Sequence, residues 1–403
     1  MATHLSMGAR YTPSTGPSWR EPWPMYAALR EHDPVHRVIP DDNPSADYWV
    51  LSRHHDVYGA ARDPDTFSSA GGLTTEYDEL AKIGLRDKPP LVMQDPPTHT
   101  DFRRLVSRGF TPRQVSSVEP AVRSFVGDRL SRLADAGDIV AGLFKPLPTM
   151  VVAHYLGVPA EDRDRFDDWT DAIVAASSAG HPLAAVEAVG ELMTYFTELA
   201  ERRRQDPKDD TISHLVASGL ADHVDGPLSI LGFAFTMVTG GNDTTTGMLG
   251  GAVQLLTSRP DQREVLVADP GLIPDAVEEL LRLTSPVQGL CRSTTRDVTI
   301  DGTTIPLGRK VLLIYGSANR DPLMYGPDAE ELDVARKPKH ILTFSHGNHH
   351  CLGAAAARMQ ARVALEELLA RFPRFEVDID GVEYAPGSYV RHPTRVPFQA
   401  GPR

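Results

Sequence analysis

Pro227–Thr257 is the stretch that most narrows what this chain can become. It reads as one long apolar helix, yet it carries Gly232, Gly240, Gly241, Gly247, Gly250 and Gly251, together with the β-branched run Thr244-Thr245-Thr246. Each glycine inside a helix costs roughly 1 kcal/mol relative to alanine, so the segment is a poor helix on its own and persists only if other elements bury it. The fold must wrap around it. Its most apolar part, Leu228–Val238, is too short to cross a bilayer, so the burial has to come from protein.

The rest of the 403 residues can supply that wrapping. Apolar periodicity predicts helices over Trp23–Arg30, His54–Ala61, His99–Gly109, Val118–Ala136, Met150–Leu156, Leu183–Arg204, Pro274–Leu283 and Gly353–Phe372. Strand patterns are short: Tyr48–Ser52, Val298–Ile300, Lys310–Tyr315, Phe375–Ile379 and Thr394–Gln399, with Asp301-Gly302 as a hairpin turn. The fold class is mainly α with small β-sheets. No linker-like tract or internal period divides the chain, so residues 16–403 read as a single domain behind a disordered N-terminal segment, 1–15.

Charge and cysteine content exclude several function classes. With 41 Lys plus Arg against 54 Asp plus Glu, the formal charge is −13, which disfavours nucleic-acid binding through the bulk surface. The N-terminus lacks the apolar core of an export signal, so a cytoplasmic protein with no membrane partner is expected. Only Cys291 and Cys351 are present, which excludes a disulfide framework.

Four constellations could carry chemistry. In Phe344-Ser345-His346-Gly347-Asn348-His349-His350-Cys351-Leu352-Gly353, a glycine-flanked cysteine opens an Ala-rich helix. Helix-start N–H groups favour thiolate over thiol, Gly347 and Gly353 leave space beside the sulfur, and the alanines let something flat pack closely. The same residues also fit a small buried cysteine, or a zinc or copper site built from His346, His349, His350 and Cys351. In the long helix, Gly240-Gly241 clears one face just before Asp243 and Thr244 place a carboxylate and a hydroxyl at one level. That could form a groove for a ligand or simply a helix contact. Glu279 and Arg282, three apart, can pair and can also reach Arg336. His99 and Arg103, four apart, can join Arg292 and His349 in clamping carboxylates.

Taken together and in this order, these motifs resemble those of the cytochromes P450, in particular the bacterial haem-thiolate monooxygenases. The resemblance runs from about Trp23 to the C-terminus. Phe344, Gly347, His349, Cys351 and Gly353 fit the family's haem-binding loop. Gly240, Gly241, Asp243 and Thr244 fit its oxygen-binding helix, and Glu279 with Arg282 its buried pair. Asp95-Pro96-Pro97-Thr98-His99, Ala318-Asn319-Arg320-Asp321-Pro322 and Asp333-Val334-Ala335-Arg336 match supporting segments. Ser345 stands where the loop usually has glycine, Gly240 where the helix usually has alanine, and His340 lies one residue further from Phe344 than usual.

The resemblance implies haem b between the Pro227 helix and the Cys351 loop. Cys351 would be the axial metal ligand, shielded by Phe344, with His99, Arg103, Arg292 and His349 on the propionates. Asp243 and Thr244 would pass protons to O2, the co-substrate. Cys291 would only pack. It further implies insertion of one oxygen atom into a hydrophobic small molecule, touched by Ser68–Val92, Ala172–Phe196, Phe233–Val238, Val287–Leu290 and Ser388–Val390. Electrons would come from a ferredoxin or flavodoxin with its NAD(P)H-dependent reductase, docking near Arg104, Arg108, Arg113 and Arg358. A non-enzymatic haem sensor and a zinc or copper hydrolase are the rival readings.

Overall fold

The computed structural model describes residues 9–82, 84–133, 136–178, 182–219 and 226–401. The glycine-rich stretch forms a single helix, Gly226–Ser258, at the centre of the molecule. Its apolar side chains Met248, Leu249, Ala252, Val253 and Leu256 are buried in one cluster with Val122 and Val126 of helix Pro112–Arg132, Leu280 of helix Ile273–Thr284, and Ala361, Ala364 and Leu365 of helix Ala354–Arg371. Phe233, Ala234 and Val238, nearer its start, belong to a second cluster with Val152, Phe166, Trp169, Phe196 and Ile212. The helix therefore runs through both cores, which is the burial its composition demands.

Several of its unusual residues have a local reason. A methyl added to Gly247 would lie 2.7 Å from the carbonyl oxygen of Arg391, one on Gly251 2.7 Å from Thr284 Cγ2, and one on Gly250 against Pro393. These three glycines are close-packing notches. At Gly241 the nearest atom is Val152 Cγ2 at 3.1 Å, and at Gly240 nothing lies within 4 Å. Polar side chains tie the helix to segment 140–156: Thr246 Oγ1 donates to the carbonyl of Phe144 at 3.1 Å, and Thr149 Oγ1 to Asn242 Oδ1 at 3.1 Å.

Most expected helices form, with shifted ends. Pro112–Arg132 begins well before Val118 because Thr111 and Gln114 make a reciprocal capping box and Pro112 occupies the first turn. It also stops before Ala136, which is instead recruited into strand Ala136–Asp138 by pairing with Pro397–Gln399. The helix expected from His99 ends at Val106 and tightens into a 3-10 turn, Ser107–Phe110. Met150–Leu156 is the second part of Pro146–Leu156, and the helix expected from Leu183 starts as a 3-10 turn and becomes regular at Val186–Gln205. Helix Arg163–Ser178, not anticipated, buries Phe166, Trp169 and Ile173, a helical spacing masked by its many aspartates. Of the segment expected to be disordered, residues 1–8 lie outside the described residues, while Ala9 and Tyr11 are buried.

The main sheet orders its strands Val35–Val38, Tyr48–Leu51, Lys310–Leu313, Leu290–Thr294 and Phe67–Ser68. Its one parallel pair joins Tyr48 to Lys310 and Leu51 to Leu313, far apart in the chain. Strand Leu290–Thr294, which carries Cys291 and Arg292, was not anticipated. Val298–Ile300 pairs with Thr303–Ile305 across a turn in which Asp301 and Gly302 take φ of 47° and 77°. The C-terminal run divides into Pro393–Arg395 and Pro397–Gln399, which pair with different partners.

The glycine contacts set the sign of two substitutions. Gly240→Ala should raise the melting temperature slightly, by the equivalent of up to about 1 kcal/mol of helix propensity. Gly247→Ala should lower it, by about 1–3 kcal/mol of overpacking against backbone. Thermal unfolding of the two variants beside the parent checks this, and equal shifts would refute it.

Candidate active site

A cavity of about 310 Å³ lies between the central helix and the Cys351 loop. The loop's shape begins at its root. Glu279 and Arg282, both fully buried on helix Ile273–Thr284, share two 2.7 Å bonds, and Arg336 Nε donates to Glu279 Oε1 at 3.1 Å. The remaining donor of Arg282, Nη1, reaches the carbonyls of Asn319 and Ala329 at 2.7 Å each. Asn319 in turn accepts from the Leu342 N–H at 2.7 Å and donates to Thr343 Oγ1 at 2.9 Å. The pair thus reaches the strand of backbone that leads into the loop.

Beyond Thr343 the chain turns sharply. Ser345 has φ of 55° and Gly347 φ of 70°. Serine therefore takes the left-handed conformation that glycine usually supplies, at a cost of about 1–2 kcal/mol. Its N–H bond to Leu342 at 2.9 Å and a contact of its hydroxyl with Tyr315 at 3.3 Å offset this. Gly347 is strictly required, since an added methyl would lie 2.7 Å from the carbonyl oxygen of Ala61. Cys351 N–H then donates to the Phe344 carbonyl at 2.9 Å, closing the loop before helix Ala354–Arg371.

Cys351 opens on to the cavity, with Gly353 leaving room beside its sulfur. Burial pushes the thiol up, and the Gly353 N–H with the charges of Arg103 and Arg358 only partly offsets it. Phe344 lines the cavity beside the cysteine, and the Arg358 guanidinium covers its ring at 4.6 Å. Cys291 is fully buried in the sheet, its thiol pushed up to about 12 by desolvation.

His99, Arg103, Arg292 and His349 meet at one wall of the cavity. The two imidazoles lie 4.2 Å apart, centre to centre. Burial, then Arg292, His99 and Arg103, lowers His349 to about 3; burial, then Arg103, lowers His99, with Asp95 acting in the opposite direction. His99 is 1 % exposed, yet neither ring nitrogen has a hydrogen-bond partner, and His349 Nε2 has none either. Buried polar atoms are nearly always bonded, so this wall suits a ligand bearing acceptors.

On the opposite wall stand Gly240, Gly241, Thr244 and Thr245. Thr244 Oγ1 donates to the Gly240 carbonyl at 2.8 Å. Asp243 is not on this wall; its Oδ1 lies 3.6 Å from His392 Nε2. Leu73, Leu91, Val92, Phe233, Met237, Val287 and Leu290 line the cavity from expected segments. Among the described residues, Ala172–Phe196 and Ser388–Val390 contribute nothing to it. Tyr389 instead lines a separate pocket of about 50 Å³. Phe110, Val151, Val152 and Tyr155 line the cavity unanticipated, the last three because the evenly apolar sequence Pro146–Leu156 reads only as core. The zinc or copper reading finds no ligand set. Among the described residues no three His, Cys, Asp or Glu side chains could hold a metal ion, and His346 bonds instead to the Ile341 carbonyl at 3.2 Å.

Comparison with known proteins agrees with this geometry. The family model "Cytochrome P450" matches residues 271–389. Cytochrome P450 130 of Mycobacterium tuberculosis is 66 % identical over 398 residues, covering 98 % of each chain. The vitamin D(3) 25-hydroxylase of Pseudonocardia autotrophica is 38 % identical, covering 96 % of each. The chain is a cytochrome P450. The solved structure of cytochrome P450 CYP109Q5 from Chondromyces apiculatus, 34 % identical, superposes with a TM-score of 0.82 over 94 % of this chain and 95 % of that one. As a member of this family, the P450 is a haem-thiolate monooxygenase that uses haem b and O2. Among the described residues of the P450, no helix is long and apolar enough to cross a membrane.

The buried pair makes a clear prediction for this P450. Glu279→Leu leaves the Arg282 guanidinium buried without its counter-charge, so unfolding free energy should fall by about 3–5 kcal/mol. Denaturant titration measures it, and a loss within about 1 kcal/mol would show that the pair is dispensable.

Proposed function

We propose that Cys351 is the axial ligand of haem b and that His99, Arg103, Arg292 and His349 hold its propionates. The observation carrying this reading is His99, buried with both ring nitrogens unpartnered beside two guanidinium groups. The arginines supply charge, and the imidazoles offer N–H donors from their unpartnered ring nitrogens. Arg103 and Arg292 are oriented in advance, through bonds from Arg103 Nη2 to the His350 carbonyl and from Arg292 Nη1 to that of Cys291. Phe344, Gly347 and Gly353 shape the loop around the sulfur, and Gly240 leaves room on the central helix.

Bound haem supplies the oxidative chemistry, with its thiolate ligand favouring O–O cleavage. The chain's own task is to exclude bulk water, orient substrate and deliver protons. Thr244, whose hydroxyl hydrogen is committed to Gly240, presents its oxygen to the cavity, where it can accept a bond from an ordered water. Asp243 lies next to it in sequence and supplies the proton that such a water passes on. Substrate is a hydrophobic small molecule held by Phe233, Met237, Val287 and Leu290, and its C–H bond is hydroxylated. One relative is named for hydroxylating vitamin D(3), itself a largely apolar molecule.

Electrons come from a cytoplasmic ferredoxin or flavodoxin with its NAD(P)H-dependent reductase. Of the arginines expected at the docking face, Arg358 is bonded to Glu278 and shields Phe344, and the Arg108 side chain lies outside the described residues. Arg104 and Arg113 are exposed, and Arg104 makes a 3.3 Å surface contact with Asp101. These two support steering of an acidic partner.

Three measurements test the reading. Cys351→Ser should abolish the red-shifted Soret band of the reduced carbonyl complex while Cys291→Ser preserves it; the reverse would reject the ligand assignment. Thr244→Ala should leave haem binding intact but divert reducing equivalents to peroxide or water. Unchanged product per nicotinamide consumed would remove Thr244 from the relay. Arg104→Glu should slow the first electron transfer, and the parent rate should fall with added salt as the Debye length shrinks to about 10 Å at 0.1 M. A rate indifferent to both would point to an apolar docking surface.

A further inference from the structure

Asp243 faces away from the cavity, towards a residue that enters from the other end of the chain. His392 lies in the loop before strand Pro393–Arg395, and its side chain is 7 % exposed against 16 % for Asp243. The separation of 3.6 Å between Nε2 and Oδ1 is beyond hydrogen-bond length but within ion-pair distance, so the ring stands directly against the carboxylate. His392 Nδ1 is buried without a partner, which leaves the Asp243 side as the direction in which the ring finds a polar group.

The backbone fixes this approach. An added methyl on Gly247, one helical turn beyond Asp243, would lie 3.3 Å from His392 Cβ, so the glycine notch is what admits the loop to the Asp243 face. Arg391 N–H donates to the Pro286 carbonyl at 2.7 Å, Ala385 N–H donates to the His392 carbonyl at 3.1 Å, and Val390 bridges Val287 on the cavity wall. The neighbouring cation is directed elsewhere: Arg391 bonds to the Trp19 carbonyl and to Tyr384 Oη, both at 2.7 Å. The histidine is the member of this loop turned to the carboxylate.

We propose that His392 is a positioning residue for Asp243, holding its carboxylate at the back of the central helix and setting how readily it turns towards Thr244 to deliver protons. The proposal rests on the relay role of Asp243 given above. His392 touches neither the cavity nor the reacting atoms and acts only through the carboxylate. It is joined, through Val390 and Val287, to the wall against which substrate rests.

The experiment uses the haem-loaded full chain with a surrogate ferredoxin and reductase, and carbon monoxide as a probe. Asp243→Asn, His392→Leu, His392→Gln and the double variant Asp243→Asn/His392→Leu are compared in two readouts. One is the C–O stretching frequency of the reduced carbonyl complex, which needs no turnover. The other is peroxide released per nicotinamide consumed, with its solvent deuterium isotope effect. His392→Leu should move the stretch in the same direction as Asp243→Asn and change the peroxide yield about threefold. The double variant should match Asp243→Asn alone, and His392→Gln, which keeps an N–H donor, should restore the parent values. If Asp243→Asn alters both readouts while His392→Leu alters neither, or if the two effects add in the double variant, the proposal is overturned and the relay reading stands. If Asp243→Asn itself is silent in both, the relay reading falls and this proposal with it. Should His392→Leu fail to retain haem, His392→Asn, whose amide is too short to reach the carboxylate, carries the same comparison.

Discussion

The Glu279–Arg282 pair is the interaction on which the Cys351 region depends. A guanidinium removed from water must have its donors bonded, because an unpaired buried charge costs several kcal/mol. Arg282 meets that demand with one carboxylate and two backbone carbonyls, at Asn319 and Ala329. Asn319 is thereby placed to bond the backbone that leads into the loop. The position of a sulfur some seventy residues away thus follows from the electrostatics of one buried ion pair. Arg336, which also bonds Asp328 at 2.9 Å, extends the same network to the surface.

Around this fixed loop the cavity has two chemically different walls. One gathers His99, Arg103, Arg292 and His349, where burial lowers the pKa of both imidazoles beside two guanidinium groups. The other is the central helix, stripped of side chains at Gly240 and Gly241 and polar at Thr244. Positive charge and N–H donors on one side, with a hydroxyl and apolar groups on the other, suit an anionic edge of a flat cofactor and an apolar substrate at once. Burial in a low dielectric strengthens both preferences.

The departures from the family pattern turn out to be local matters. Ser345 takes glycine's backbone conformation and has its amide and hydroxyl bonded in return. His340, also left-handed at φ of 55°, packs its ring near Tyr58 while its carbonyl accepts from His54 Nε2 at 2.9 Å. Neither change reaches the cysteine. The glycines of the central helix divide by neighbour: Gly247, Gly250 and Gly251 admit other elements, whereas Gly232 and Gly240 face open space, Gly240 on the cavity. Sequence spacing cannot distinguish those uses, since a notch and an opening both read as a missing side chain.

Much of what depends on residues within a turn or two of each other was legible in the amino-acid order, although helix Arg163–Ser178 and the Thr111–Gln114 capping box were missed. The legible part includes the glycine-flanked cysteine, the Glu279–Arg282 spacing of three, the Asp301-Gly302 turn and the amphipathic helices, because helix and turn geometry is set by φ, ψ preference and periodicity. The four-residue spacing of His99 and Arg103 was readable in the same way, but no local spacing ties them to Arg292 and His349, and the propionates as their ligand came from resemblance. Tertiary structure alone decided the conversion of Ala136–Asp138 to a strand, the pairing of Tyr48 with Lys310, and the place of Val151 and Tyr155 on the cavity wall. It also turned Asp243 towards His392. Each of these joins groups far apart in the chain. Their contact energy exists only once the intervening chain has been ordered and packed, and no local preference encodes it.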